Sequence, residues 1–213
     1  MIFKMGDRAE AYKLGGKAFE LVKLYEAGFK VPPFLVLTGE DFFEFFGEER
    51  EELRSLLSEY KDENREEICA IIRKREFSED WKEEVISKVR AYFGEDCLLA
   101  VRSSATDEDG EKFSFAGMME SYLNVRQGEE IFTAVKQCYL SCFSERAMSY
   151  RKENGLIDEN IGMAVILQKM VEADASGVMF TSNPLTNNPD EVLISVVTGL
   201  GEALVSGEKN SFD

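Results

Sequence analysis

Apolar residues recur at helical spacing at Ala18, Leu21, Val22 and Tyr25, directly after Gly15-Gly16-Lys17. That stripe predicts a helix opening at the glycine pair, with Gly28 as its stop. Val31-Pro32-Pro33 forces an extended entry into the apolar strand Phe34-Leu35-Val36-Leu37. Thr38 can cap the next helix, which carries Phe42, Phe43, Phe45 and Phe46. Residues 48–93 are charged and helical in pattern. Leu53, Leu56 and Leu57 mark one short helix, Ile68, Ile71 and Ile72 a second, and Trp81, Val85 and Val89 a third capped by Ser78. The acidic residues between them read as solvated helix faces.

From Cys97 the character changes. Cys97-Leu98-Leu99-Ala100-Val101 reads as a buried strand that runs into Arg102-Ser103-Ser104-Ala105-Thr106. A loop follows, then the strand Tyr122-Leu123-Asn124-Val125. One long helix is predicted from about 129 to 154, with Ile131, Val135, Cys138 and Cys142 in its apolar stripe and Gly155 as its stop. Three strand-like segments close the chain, at 162–170, 177–181 and 192–197. Helices and strands mix without strict alternation, so an α+β fold is expected rather than a doubly wound sheet.

The chain has 213 residues, room for one large domain or two lobes, and 44% of it is apolar. Acidic residues number 41 against 25 basic, a formal charge of −16. Such a field repels phosphate backbones and anionic lipid, which argues against nucleic acid and membrane as partners. It repels a free nucleotide as well. Any nucleotide site must therefore be a local cluster of Lys, Arg and backbone N–H groups, with Mg²⁺ to screen the rest. The N-terminal residues lack the apolar core of a signal peptide, and a cytoplasmic setting is expected. Cys69, Cys97, Cys138 and Cys142 form no Cys-x-x-Cys pair. Cys138 and Cys142 share a helix face, but without histidine the zinc reading is weak and free thiols in a core are expected. The chain contains no histidine. That removes Ser-His-Asp and Cys-His catalysis and any phosphohistidine within these residues.

Several segments suit phosphate or nucleotide chemistry. Gly15-Gly16-Lys17 opens a helix, where unpaired N–H groups and a lysine favour an anion; it also reads as an ordinary turn with an exposed lysine. Arg102 ends a buried strand, which is unfavourable unless its charge is met. Ser103, Ser104 and Thr106 can bond phosphate oxygens; alternatively Arg102 pairs with Asp107, Glu108 or Asp109. Phe113-Ser114-Phe115-Ala116-Gly117 can fold over a nucleotide or simply connect two strands. Gln168-Lys169-Met170-Val171 ends an apolar strand whose backbone can read adenine, or is only a strand end. Gly199-Leu200-Gly201-Glu202 permits close backbone approach, with Glu202 available to ribose hydroxyls, or is a turn.

Taken in order, these segments and a few others resemble one family. They are Gly15-Gly16-Lys17, Val101-Arg102-Ser103-Ser104-Ala105-Thr106 with Glu108-Asp109, and Ser114-Phe115-Ala116-Gly117. Leu123-Asn124-Val125, Arg146-Ala147 with Ser149-Tyr150-Arg151, Gln168-Lys169-Met170-Val171, Ser176-Gly177-Val178-Met179-Phe180 and Gly199-Leu200-Gly201-Glu202 follow. Together they resemble the N-terminal ATP-binding region of phosphoenolpyruvate synthase, pyruvate phosphate dikinase, rifampicin phosphotransferase and the glucan dikinases.

The resemblance implies an ATP-grasp-like nucleotide-binding region. Residues 1–170 would be its first lobe, with a helical insert at about 39–93, and 171–213 the beginning of an incomplete second lobe. It implies ATP and Mg²⁺ as cofactors, with Lys17 and Arg102 on the phosphates. Gly117 and Ser121 would belong to a phosphate-covering loop, Gln168 and Met170 would lie at the adenine, and Glu202 near the ribose. The family reaction cleaves ATP to AMP and passes the β-phosphoryl group to a histidine on a separate swivelling domain, en route to an acceptor such as pyruvate. The swivelling domain and an acceptor-binding domain would therefore be partners in a longer protein, and this chain alone would be inactive.

There are departures. Met118 and Met119 stand where the family often has glutamines, and the chain ends at Lys209-Asn210-Ser211-Phe212-Asp213 without the family's acidic metal ligands and final arginine. The metal ligands are thus not identified. A non-catalytic nucleotide-binding module is the alternative that these departures leave open.

Overall fold

Phe34–Leu37 and Met163–Lys169 lie side by side as β2 and β5, antiparallel, with Phe34 opposite Gln168 and Leu37 opposite Val165. The computed structural model describes residues 2–7, 11–107, 120–186 and 188–205. Around this pair the chain builds a five-stranded antiparallel sheet in the order β1-β2-β5-β3-β4. β1 is Ile2–Lys4, β3 Leu99–Ala105 and β4 Ser121–Val125.

Period-two alternation divides the sheet into two apolar faces. On one, Leu35, Leu37, Leu99, Val101, Met163, Val165 and Leu167 meet the helices of residues 39–93 and the helix after β4. On the other, Phe34, Val36, Ala164 and Ile166 meet Leu14, Ala18 and Val22 of α1, Ala11–Glu26. Both faces of the central strands are buried, so β2 and the first five residues of β5, 163–167, read as unbroken apolar runs.

The charged stretch folds into α2 Gly39–Phe46, a 3-10 turn at Gly47–Glu49, α3 Arg50–Ser58, α4 Asn64–Lys74 and α5 Glu79–Phe93. Leu53, Leu57, Ile68, Ile72, Val85 and Val89 are all buried, as their spacing requires. Asp41 closes a capping box at Thr38, accepting from its N–H at 2.8 Å and from its hydroxyl at 2.9 Å. Ser78 caps α5 by accepting from the Trp81 N–H. Phe42 is the hub of an aromatic cluster, edge-on to Phe46 at 5.1 Å and to Tyr139 at 4.9 Å.

The single helix expected over 129–154 is two: α6, Glu129–Cys142, and α7, Glu145–Asn154. Ser144 leaves helical geometry and caps α7, its hydroxyl accepting from the Ala147 N–H at 3.2 Å. Serine bonds local backbone well, and at this position that bond starts a new helix. Cys138 and Cys142 are buried free thiols on α6. Burial raises the pKa of both, that of Cys142 to about 11, so neither is a ready thiolate.

The chain divides into two compact units, Met1–Met170 and Val171–Asp213. In the second, β6 Ala175–Phe180 and β7 Leu193–Thr198 pair antiparallel, and α8, Glu202–Val205, follows. Among the described residues no helix is long and apolar enough to cross a membrane.

The aromatic hub gives a test of the core. Phe42 is fully buried whereas Leu185 is 83% exposed. Phe42→Ala should remove about 3–5 kcal/mol of stability in urea titrations, and Leu185→Ala should stay within about 0.5 kcal/mol of the parent. Similar losses for both would contradict this core.

Candidate functional site

The Gly15-Gly16-Lys17 turn is built against the end of β3. Gly15 interrupts α1 with φ 70° and ψ 165°, a conformation open in practice to glycine alone. A Cβ there would lie 2.6 Å from the Ala105 carbonyl oxygen and would press on that of Ser104. Glycine is needed twice over, for its dihedrals and for this close approach. Helix α1 proper starts beyond the break. The Ser104 hydroxyl accepts from the Ala18 N–H at 3.1 Å, which satisfies one of the helix's unpaired donors. The Lys17 ammonium, on a half-buried side chain, donates to the Ser103 carbonyl oxygen at 3.3 Å.

Arg102 lies on the same sheet face as α1, because residues 100, 102 and 104 alternate with the inward Leu99, Val101 and Ala105. Its cross-strand neighbours are Ile166 on β5 and Ser121 on β4. A bulge between the Leu99 and Val101 pairings places an extra residue in β4, where Asn124 has φ 57°. The Arg102 guanidinium donates to the Gln168 side-chain oxygen at 3.0 Å. The Gln168 amide nitrogen donates in turn to the Pro32 carbonyl oxygen at 3.3 Å. Burial lowers the pKa of Arg102, yet a guanidinium stays charged in proteins. Among the described residues no carboxylate pairs with it. Among the described residues this half-buried cation meets a neutral amide.

The acidic partner expected for Arg102 goes elsewhere. Asp107 forms a two-pronged ion pair with Arg151 of α7, at 2.6 Å from Nε and 3.1 Å from Nη2. Glu108 and Asp109 lie outside the described residues. Two of the expected phosphate hydroxyls are also engaged within the fold. Ser104 holds the α1 N-terminus, and Ser103 donates its hydroxyl to the Glu120 carbonyl oxygen at 2.8 Å. Sequence alone had no means of separating a hydroxyl that binds a ligand from one that caps a helix.

The remaining expected residues divide as follows. Ser121 is the first residue of β4, exposed, directly across from Arg102 rather than in the preceding loop. Gly117 lies outside the described residues. β5 is a central strand, not an edge, so its backbone groups are largely bonded to both neighbours. The Met170 N–H donates to the Leu98 carbonyl oxygen at 3.0 Å and is thus already used. Glu202 is exposed and opens α8 in the second unit. There Gly199, with φ 78°, donates its N–H to the Asp174 carbonyl oxygen at 2.8 Å, and the Ser176 hydroxyl donates to the Gly199 carbonyl oxygen at 2.7 Å. Among the described residues no group of three or more Cys, Asp or Glu gathers to hold a metal ion.

The pattern of a known family, described as pyruvate phosphate dikinase, AMP/ATP-binding domain, matches residues 11–211. A probable phosphoenolpyruvate synthase of Methanocaldococcus jannaschii is 37% identical over 91% of this chain and 17% of its own length. One of Archaeoglobus fulgidus is 40% identical over 94% of this chain and 28% of its own. A rifampicin phosphotransferase of Bacillus cereus is 36% identical over 96% of this chain and 25% of its own. The chain thus spans less than a third of the length of each of these relatives.

The seat of the Gly15 turn can be tested by comparing two glycines. Gly28 also has positive φ, 84°, but a Cβ there meets nothing within 4 Å. Gly28→Ala should lose about 1–3 kcal/mol from backbone strain alone. Gly15→Ala carries comparable strain plus the clash with two β3 carbonyls, so its urea midpoint should fall further. Equal midpoints would show that the turn is not seated on β3 as described.

Proposed function

This chain belongs to the pyruvate phosphate dikinase AMP/ATP-binding domain family, and from that premise we propose that Lys17, Arg102 and Ser121 form the phosphate side of its ATP site, with Gln168 at the adenine. The observation that carries this is Arg102. Among the described residues this half-buried guanidinium is met by the neutral Gln168 and by no carboxylate, and a bound phosphate supplies the opposite charge. Lys17 supports the same assignment, since its ammonium is held at the next residue along β3. The helix beginning behind Gly15 adds the partial positive charge of its N-terminus. Ser121, across from Arg102, adds an exposed hydroxyl.

In this proposal the two units belong to the two lobes of an ATP-grasp-like region. Gly117 covers the phosphates, Met170 borders the adenine through its side chain, and Glu202 serves the ribose. Because the Met170 N–H is committed to Leu98, any backbone contact with adenine falls to groups past it. Mg²⁺ accompanies ATP and screens its charge against an acidic chain. We assign the parent activity as that of a cytoplasmic dikinase resembling phosphoenolpyruvate synthase. ATP would be cleaved to AMP, the β-phosphoryl group would pass to a histidine on a separate swivelling domain, the γ-phosphoryl group would leave as inorganic phosphate, and a further domain would bind pyruvate. Lysine and arginine clamps on a moving phosphoryl group are suited to that chemistry. The similarity to a rifampicin phosphotransferase favours, as a second reading, the same ATP chemistry with a different acceptor.

Calorimetric titration with ATP and Mg²⁺ tests the assignment. Lys17→Ala and Arg102→Ala should each weaken binding about 10–100-fold, the equivalent of one charge-assisted hydrogen bond. Equal affinities in the parent and both variants would overturn the site.

A further inference from the structure

Arg151 has no part in the phosphate site just described, yet among the described residues it is the largest fully buried side chain. Its guanidinium is spent entirely inside the fold. Nε and Nη2 grip the two carboxylate oxygens of Asp107 at 2.6 and 3.1 Å, and Nη1 donates to the Cys142 carbonyl oxygen at 2.5 Å. A buried ion pair is weak evidence for stability, because apolar residues of similar size often serve as well or better. What it does provide is a fixed geometry, since the planar fork of arginine accepts a carboxylate in one orientation.

The place that is fixed is where β3 leaves the sheet. Thr106, just before Asp107, donates its N–H to the Gly162 carbonyl oxygen at 3.2 Å. The preceding residues are the ones on which the lysine turn sits. Gly15 packs on the Ser104 and Ala105 carbonyls, the Ala18 N–H bonds the Ser104 hydroxyl, and Lys17 bonds the Ser103 carbonyl. Met148 of α7 belongs to the core on one sheet face, whereas Leu14 and Ala18 of α1 belong to the core on the other. The end of β3 is therefore held from both faces, by a close-packed turn and by a charged clamp.

We propose that Arg151 is a positioning residue for the ATP phosphates: through Asp107 it fixes the end of β3, and so sets where Lys17 stands. This rests on the ATP-site assignment above. It predicts an effect on binding that a merely stabilising ion pair does not have, namely discrimination between nucleotides with and without the outer phosphates.

The test compares the parent chain, Asp107→Asn, Arg102→Ala and the double variant Asp107→Asn/Arg151→Met, which leaves no unpaired buried charge if the single variant fails to fold. Dissociation constants for Mg·ATP and for AMP are measured well below each melting point, along with amide exchange at Thr106. The clamp variants should lose about tenfold in ATP affinity, in the range of couplings carried through packed networks. Their AMP affinity should stay within about twofold, well under one such step, and Thr106 should exchange faster. Equal changes for ATP and AMP, or an unchanged ATP constant in a folded clamp variant while Arg102→Ala weakens ATP, would overturn the positioning role alone. So would unchanged protection of Thr106. No effect of Arg102→Ala, or no ATP binding by the parent, would overturn the site itself and this proposal with it.

Discussion

Seven consecutive residue pairs join β3 to β5, from Leu99 opposite Lys169 to Ala105 opposite Met163, and the register of those pairs decides which face every side chain takes. A slip of one residue exchanges the faces. Arg102 would then enter the large aromatic and aliphatic core, and Val101 would stand beside α1. Neither outcome is tolerable: the first strands a charge in a dry interior and the second leaves an apolar side chain where the cation belongs. The apolar residues at 99, 101, 163, 165 and 167 thus position Arg102 by burying the opposite face of the sheet. The bulge at β4 adjusts the other side, so that Ser121 falls opposite Arg102.

The same register arranges charge in an otherwise acidic molecule. With a formal charge of −16, the protein cannot attract ATP by its overall field. Attraction must act at short range, in a place where water is partly excluded and a single cation counts for more. Arg102 is half-buried against the sheet and bonded to the Gln168 side chain, and the Lys17 ammonium donates to the Ser103 carbonyl oxygen one residue along β3. Many other basic side chains are committed to surface carboxylates, such as Lys82 to Glu79 and Arg73 to Glu66. The fold separates cations that tidy the surface from Arg102, which is bonded to a neutral amide.

Much of this was legible in the sequence because it depends on local periodicity. The helical stripes at 53–57, 68–72 and 81–89, the apolar strands and the glycine stops are statements about neighbours along the chain. What was not legible depends on neighbours across the fold. The short edge strand Ile2–Lys4 has no pattern of its own and exists because β2 offers an edge. The stripe through 129–154 continues past the break, because both helices bury a face, and only the Ser144 cap marks the boundary. Asp107 stood near enough in sequence to be considered for Arg102, but strand alternation and the nearby α7 give it to Arg151 instead.

The hydroxyls after Arg102 show how a single motif divides its work. Arg102-Ser103-Ser104 reads along the chain as a row of phosphate ligands, yet alternation sends successive side chains to opposite faces of the sheet. Ser104 shares the face of Arg102 but is used to bond the first turn of α1, which is what brings Lys17 to this strand. Ser103 points the other way and ties β3 to Glu120 at the entry to β4, which brings Ser121 to Arg102. In the proposed site the two serines would therefore act on a phosphate at one remove, each holding a neighbouring element that carries a proposed ligand. A motif of this kind tolerates little rearrangement, since each residue is held by a different element of the fold.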